Sequence, residues 1–190
     1  MQNHYELIYQ LKLPPVTEFL NDGVFEKLFI GKNQALHRSF SAKEVIKPEW
    51  LSLKGINWTQ LVLFYKPDYQ GLIIHSDDNK TNRQIDEECI WGINFVYGGY
   101  GITEYWQSED VNILEGTRSN SIGTYYTRCE VNKPAYKTYT MEHNGAYLVN
   151  ASPFHRVKGV GPRYALVMRP DNSCGFTWPK LVELFGDLIV

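Results

Sequence analysis

About a third of the way along the chain the pattern of apolar and polar positions changes character. From Gln60 onward, short runs rich in Val, Ile, Tyr, Phe and Thr are separated by clusters of Gly, Pro, Asn and Asp, the pattern of antiparallel β structure. The runs cover residues 60–66, 71–76, 89–97, 103–107, 124–129, 138–142, 146–150, 154–158 and 163–169. Strands this short and this numerous predict a sandwich or barrel. Before them the pattern predicts a helix over 17–29 with Thr17 as N-cap, and a second one opening at Lys47-Pro48-Glu49-Trp50, where Pro suits the first helical turn. After them an amphipathic stretch, 179–188, predicts a closing helix. The 9 prolines are scattered and no repeat, heptad array or low-complexity tract interrupts the chain. One domain over 1–190 is expected: a helical part to 58, a β core over 59–170 and a C-terminal segment over 171–190.

Composition supports a packed interior, since 190 residues with 43% hydrophobic and 14% aromatic content are enough for a sizeable core. A net charge of -2 with pI near 6.2 gives no basic surface overall, so no nucleic-acid partner is expected. Lys133 to Lys137 hold too few charges to change that. Met1-Gln2-Asn3-His4-Tyr5-Glu6 lacks a charged leader and a following apolar stretch, and no window reaches membrane-spanning length. The expectation is a cytoplasmic protein without a membrane partner, its oligomeric state left open. Cys89, Cys129 and Cys174 form no paired-cysteine motif and read as buried free thiols. Tyr97-Gly98-Gly99-Tyr100-Gly101 lacks the lysine and following helix of a phosphate loop, and reads as a hairpin turn.

The candidate chemistry begins at His75-Ser76-Asp77. On a strand, His75 and Asp77 leave the same face and Ser76 the opposite one. Two histidines and one carboxylate with coordination positions left open are the facial set that suits non-heme Fe(II). His155, far away in sequence, can supply the second imidazole in a fold that brings distant strands together. Taken alone, His75 and Asp77 also fit a hydrogen-bonded pair before the turn formers Asp78-Asn79, and His155 a core histidine. Arg163 follows His155 by 8 residues, with Gly159, Gly161 and Pro162 between them, which predicts a tight turn and a following strand that starts at Arg163. His4, His37 and His143 lack any such partner pattern and read as structural or solvent-facing. Asn94 is a candidate without an assigned face, and Tyr100, Tyr105, Trp106, Tyr125 and Tyr126 are candidates for a substrate entrance or for packing.

The ordered strings Leu63-Phe64-Tyr65-Lys66-Pro67, Ile74-His75-Ser76-Asp77, Ile90-Trp91-Gly92-Ile93-Asn94-Phe95, Tyr147-Leu148-Val149-Asn150, Pro153-Phe154-His155-Arg156-Val157 and Arg163-Tyr164-Ala165-Leu166-Val167 resemble the iron(II)- and 2-oxoglutarate-dependent dioxygenases, especially the branch that includes prolyl hydroxylases. The resemblance spans roughly the last two-thirds of the chain. It implies a mainly β fold with flanking helices, a double-stranded β-helix (jelly roll, cupin-like). It further implies Fe(II) held by His75, Asp77 and His155, with 2-oxoglutarate and dioxygen as co-substrates. Arg163 would pair with the distal carboxylate of 2-oxoglutarate, a role for which its planar fork of donors is suited, and Tyr65 would add a hydroxyl contact. Ala165 departs from subfamilies that place a serine there as a second carboxylate contact. The expected activity is hydroxylation of a C–H bond in an unidentified small-molecule or peptide substrate, with succinate as co-product. The alternatives are a cupin-like metal-binding or structural protein without oxidation chemistry, and a metal enzyme of hydrolysis or isomerisation.

Overall fold

The computed structural model of the chain describes residues 5–29, 36–67, 74–77, 88–119, 125–170 and 175–190. Among the described residues ten strands lie in one hydrogen-bonded sheet, and every pairing is antiparallel: β1 (Ile8–Leu11), β2 (Leu36–Ser41), β3 (Trp58–Lys66), β4 (Ile74–Ser76), β5 (Trp91–Trp106), β6 (Val111–Ser119), β7 (Tyr125–Val131), β8 (Lys137–Met141), β9 (Ala146–Asn150) and β10 (Phe154–Pro170). The helices are short: α1 (Val16–Phe19), α2 (Val24–Phe29), α3 (Ala42–Val45) and α4 (Trp178–Leu184). No helix of the described residues is long and apolar enough to cross a membrane.

Two long strands, β5 and β10, organise the whole sheet by running antiparallel from Phe154↔Trp106 to Met168↔Ile93. Held straight, the 14 steps from His155 to Arg169 would span roughly 46 Å. Yet His155 pairs with His75, and Asp77, two residues further on, receives a hydrogen bond of 2.8 Å from Arg169. The ribbon must therefore fold back on itself. Its corner is the glycine-rich stretch containing Gly98, Gly99, Gly101, Gly159 and Gly161, where the register shifts between Val160 and Arg163. Gly161 sits there at φ +76°, a left-handed conformation that lets one extra residue bulge out of β10 and sharpen the bend.

Folding the ribbon over gives the two layers of a jelly roll. One layer holds β2, β3, the second half of β10, the first half of β5, β9 and β1, and the other holds β6, β7, β4, the first half of β10, the second half of β5 and β8. Alternation sorts the side chains between faces. Leu61, Leu63, Leu166, Met168, Ile93, Phe95 and Leu148 leave the outer face of the first layer and meet Phe19, Val45, Trp178, Leu181 and Phe185 from the helices. Each such fully buried aliphatic or aromatic side chain contributes about 2–3 kcal/mol. Inside, between the layers, lie Val96, Tyr105, Met141, Tyr147 and Val149.

Several elements depart from the pattern reading. The expected helix over 17–29 is broken, because Leu20 turns to extended backbone and Pro15, rather than Thr17, stands at the N-cap of α1. At Pro48 only a single 3-10 turn forms, and the C-terminal helix is shorter than expected, ending at Leu184. The runs 89–97 and 103–107 join into β5, and 154–158 and 163–169 join into β10. Tyr97 to Gly101 is thus not a hairpin turn, since the bend keeps pairing with β10 across it. β6 lies between the expected runs 103–107 and 124–129, where no strand was expected, and residues 71–73 of an expected strand lie outside the described residues.

A Cβ at Gly161 meets nothing closer than 3.9 Å, so the cost of Gly161→Ala is the cost of the left-handed backbone alone. Urea unfolding should show a loss of about 1–2 kcal/mol; unchanged stability would mean that the corner does not depend on this conformation.

Candidate metal centre

β4 and the first half of β10 deliver the three donor side chains. His75 and His155 are directly paired across the two strands, and their rings lie 4.5 Å apart, tilted by 48°. Asp77 follows β4 immediately, tethered by its backbone N–H to the Ala151 carbonyl at 3.2 Å. Between them Ser76 turns the other way and donates to the Ser152 carbonyl at 2.6 Å. One donor atom from each of His75, Asp77 and His155 falls within 4.8 Å of the others. His75 Nε2 and Asp77 Oδ1 are 3.4 Å apart, close to the roughly 3 Å that neighbouring ligands of one ion keep when its bonds are about 2.1 Å.

The surroundings prepare each donor for a cation. His155 Nδ1 lies 2.9 Å from the Pro153 carbonyl oxygen, which can only accept, so that nitrogen carries the proton and Nε2 keeps its lone pair. Tyr105 packs on this imidazole at 5.8 Å and anchors its own hydroxyl to the Asn150 carbonyl at 2.8 Å. Burial, reinforced by the neighbouring His75, pulls His155 down to about 4, so the ring is neutral at pH 7. Burial works against ionising Asp77, but the His75 hydrogen bond and the Arg169 guanidinium outweigh it and hold the carboxyl well below its ordinary range. A neutral His155 imidazole and an ionised Asp77 carboxylate thus stand together beside His75. This donor set fits a divalent first-row metal ion, with coordination positions left over.

Arg163 lies 8% exposed at the corner of the ribbon. Its guanidinium curls back over Gly101, where a Cβ would stand 2.6 Å from its central carbon, so only glycine leaves this seat open. Gly101, Thr103 and Tyr105 alternate onto one face, and Tyr105 pairs with His155. The guanidinium and the triad therefore share the inner face of one layer, about 13 Å apart along the strand. Arg163 Nε and Thr103 Oγ1 are both buried without a hydrogen-bond partner. Burial lowers Arg163 to about 10, which leaves it charged at neutral pH.

Tyr65 lies elsewhere. It pairs with Tyr164 in register and stacks on it at 4.3 Å, within the helix-covered outer cluster. The face from which Arg169 reaches Asp77 is the opposite one, so the structure does not bring Tyr65 to the triad. Asn94 pairs with Val167 and so shares the inner face with Arg169. Among the aromatic candidates, Tyr105 packs against His155, Trp106 points outward beneath Arg156, and Tyr100 is exposed. The side chains of Tyr125 and Tyr126 lie outside the description.

Three residues here carry no sequence signal. Arg169 looks like one more strand-end cation until the fold-back places it 2.8 Å from Asp77. Thr103 reads as an ordinary strand residue. His37, on β2, pairs with Phe64 and stacks on its ring at 4.4 Å, with Nε2 buried and unpartnered.

No protein-family model matches the sequence, and no curated protein sequence does. Solved structures align with it at low TM-score. A cupin superfamily protein from Desulfitobacterium hafniense aligns over 74% of this chain and 81% of its own, at 11% identity and TM-score 0.36. The coconut allergen cocosin aligns over 80% of this chain at 7% identity and TM-score 0.38, with the match spanning 31% of cocosin. Peruvianin-I, a cysteine peptidase from Thevetia peruviana latex, aligns over 87% of this chain at 11% identity and TM-score 0.29.

Two predictions concern this cluster. An unfolded chain protonates its histidine near 6.5 whereas folded His155 waits until about 4. Between those values the unfolded state binds more protons, so metal-free protein should lose about 1 kcal/mol of stability per pH unit on acidification. Denaturation curves for His155→Gln should be flatter over that window; equal slopes would remove His155 as the cause. Arg169→Met should weaken Mn(II) or Co(II) binding about 10–100-fold by freeing the carboxylate from its orienting partner, as read by metal titration.

Proposed function

We propose that this protein is an Fe(II)- and 2-oxoglutarate-dependent oxygenase that hydroxylates a C–H bond in a small-molecule or peptide substrate. The observation that carries the reading is Arg163, a buried guanidinium with no ion-pair partner among the described residues and an unbonded Nε, on the same inner face as a His-Asp-His cluster. Leaving a buried charge uncompensated is expensive. A dicarboxylate with one end at the triad and the other at Arg163 removes that cost, and the interval between them is on the order of a short diacid plus the metal–ligand bonds at its near end.

Each residue then has a defined task. His75, Asp77 and His155 would hold the metal ion through two imidazole nitrogens and a carboxylate. Arg163 binds and orients the distal carboxylate by charge-assisted hydrogen bonds, and the Thr103 hydroxyl, buried on the same face, supplies a second contact where Ala165 cannot. Val96, Val157 and Tyr105 keep water out around the acid. Redox chemistry that couples decarboxylation of the 2-oxo acid to C–H oxidation is what an Fe(II) ion supplies when bound. Over the cycle one dioxygen atom enters the substrate as hydroxyl, the other enters succinate, and carbon dioxide leaves.

Fe(II)-loaded protein should bind 2-oxoglutarate and release succinate under dioxygen. Arg163→Met should weaken 2-oxoglutarate binding by about 100-fold, while metal affinity stays unchanged in parallel titrations. A protein that binds metal tightly but has no affinity for any 2-oxo acid would sink this reading and favour a non-oxidative, cupin-like metal-binding protein.

A further inference from the structure

His37 belongs to β2, ahead of every residue discussed as a ligand, yet it faces the same interior. Register places His37, Phe64 and Ala165 in one row across β2, β3 and β10, on the face from which Val167 and Arg169 also project. The row lies between Arg163 at the corner and Arg169 at Asp77. The imidazole is fixed from one side by stacking on Phe64, with ring planes within 21°, and the charges of Arg169 and Asp77 both reach it. Its Nε2 is buried without a partner. Leaving such a nitrogen buried and unsatisfied is destabilising.

Side-chain polar atoms that are buried and unpartnered occur at three described residues, and all three face the space between the layers: Arg163 Nε, Thr103 Oγ1 and His37 Nε2. Arg163 and Thr103 lie toward the corner. His37 approaches from the opposite layer, in the row between Arg163 and Arg169 and within reach of the Arg169 and Asp77 charges, so an acceptor oxygen placed there would meet an imidazole N–H. We infer that His37 is a positioning residue for the 2-oxo acid, donating from Nε2 to the oxygens of its metal-proximal end. This inference rests on the oxygenase reading above and assigns a contact from outside the part of the chain that carries the family resemblance.

The test uses full-length protein loaded with Mn(II), titrated calorimetrically with 2-oxoglutarate, for wild type and His37→Phe. Phenylalanine keeps the stack on Phe64 and removes the nitrogen. The variant should bind 2-oxoglutarate about tenfold more weakly with Mn(II) affinity unchanged, and without ligand its melting temperature should equal or exceed that of wild type. His37→Gln, which restores a donor, should recover part of the affinity. Binding within twofold of wild type in His37→Phe overturns the inference, as does a lowered melting temperature without ligand, the mark of a purely structural histidine. If wild type itself fails to bind 2-oxoglutarate, the oxygenase reading falls and this contact falls with it, a result distinct from the variant failing alone.

Discussion

A hydrogen-bonded pair of strands cannot be folded double without somewhere giving up side chains, and the corner of the β5–β10 ribbon is where this chain does so. Glycines on both strands let the backbones turn while pairing resumes on either side of the shifted register. Everything functional follows from that turn. It creates two layers from one sheet, brings Arg169 from the far end of β10 to the Asp77 carboxylate, and leaves a vacant seat over Gly101 into which Arg163 can retract. A corner built from bulkier residues would keep the strands but separate these groups.

The charges inside are arranged unequally. Asp77 lies beside His75 and accepts a hydrogen bond from Arg169, so a guanidinium already faces its negative charge. At the corner Arg163 has no such partner among the described residues. On the outer face of the second layer, by contrast, Glu104 takes both Arg156 and Lys158, within 2.6 and 2.8 Å. The same ribbon thus satisfies its cations outside and leaves one within that has no partner among the described residues, which sets a surface ion pair of small net value apart from a buried, uncompensated guanidinium.

How much of this was legible in the sequence depends on whether a feature is local. The β character of the chain, the pairing of His75 with Asp77 on one face, and the reversed direction of Ser76 all follow from alternation over three residues. The identity of His155 as a partner came from the family resemblance, and the direct His155–His75 register shows the two imidazoles meeting. What alternation could not reveal was the fold-back. Gly and Pro around residue 161 look like a turn that ends one strand and begins another, whereas pairing with β5 continues past a bulge. That difference decides which face each downstream side chain takes, which is why Tyr65 was expected inside and lies outside, and why Arg169 and His37 carried no signal. Both depend on contacts between residues far apart in the sequence.

Because Arg163 and His155 are carried by the same strand, the distance between the cation and the metal ligands is set by backbone covalent geometry and one bulge, rather than by how two loops happen to rest. A paired strand does not stretch, so the site behaves as a fixed gauge. Changes in the surrounding loops leave the spacing between Arg163 and the His-Asp-His cluster unchanged. Under the oxygenase reading proposed above, the molecule modified would be free to change while the acid consumed stays the same.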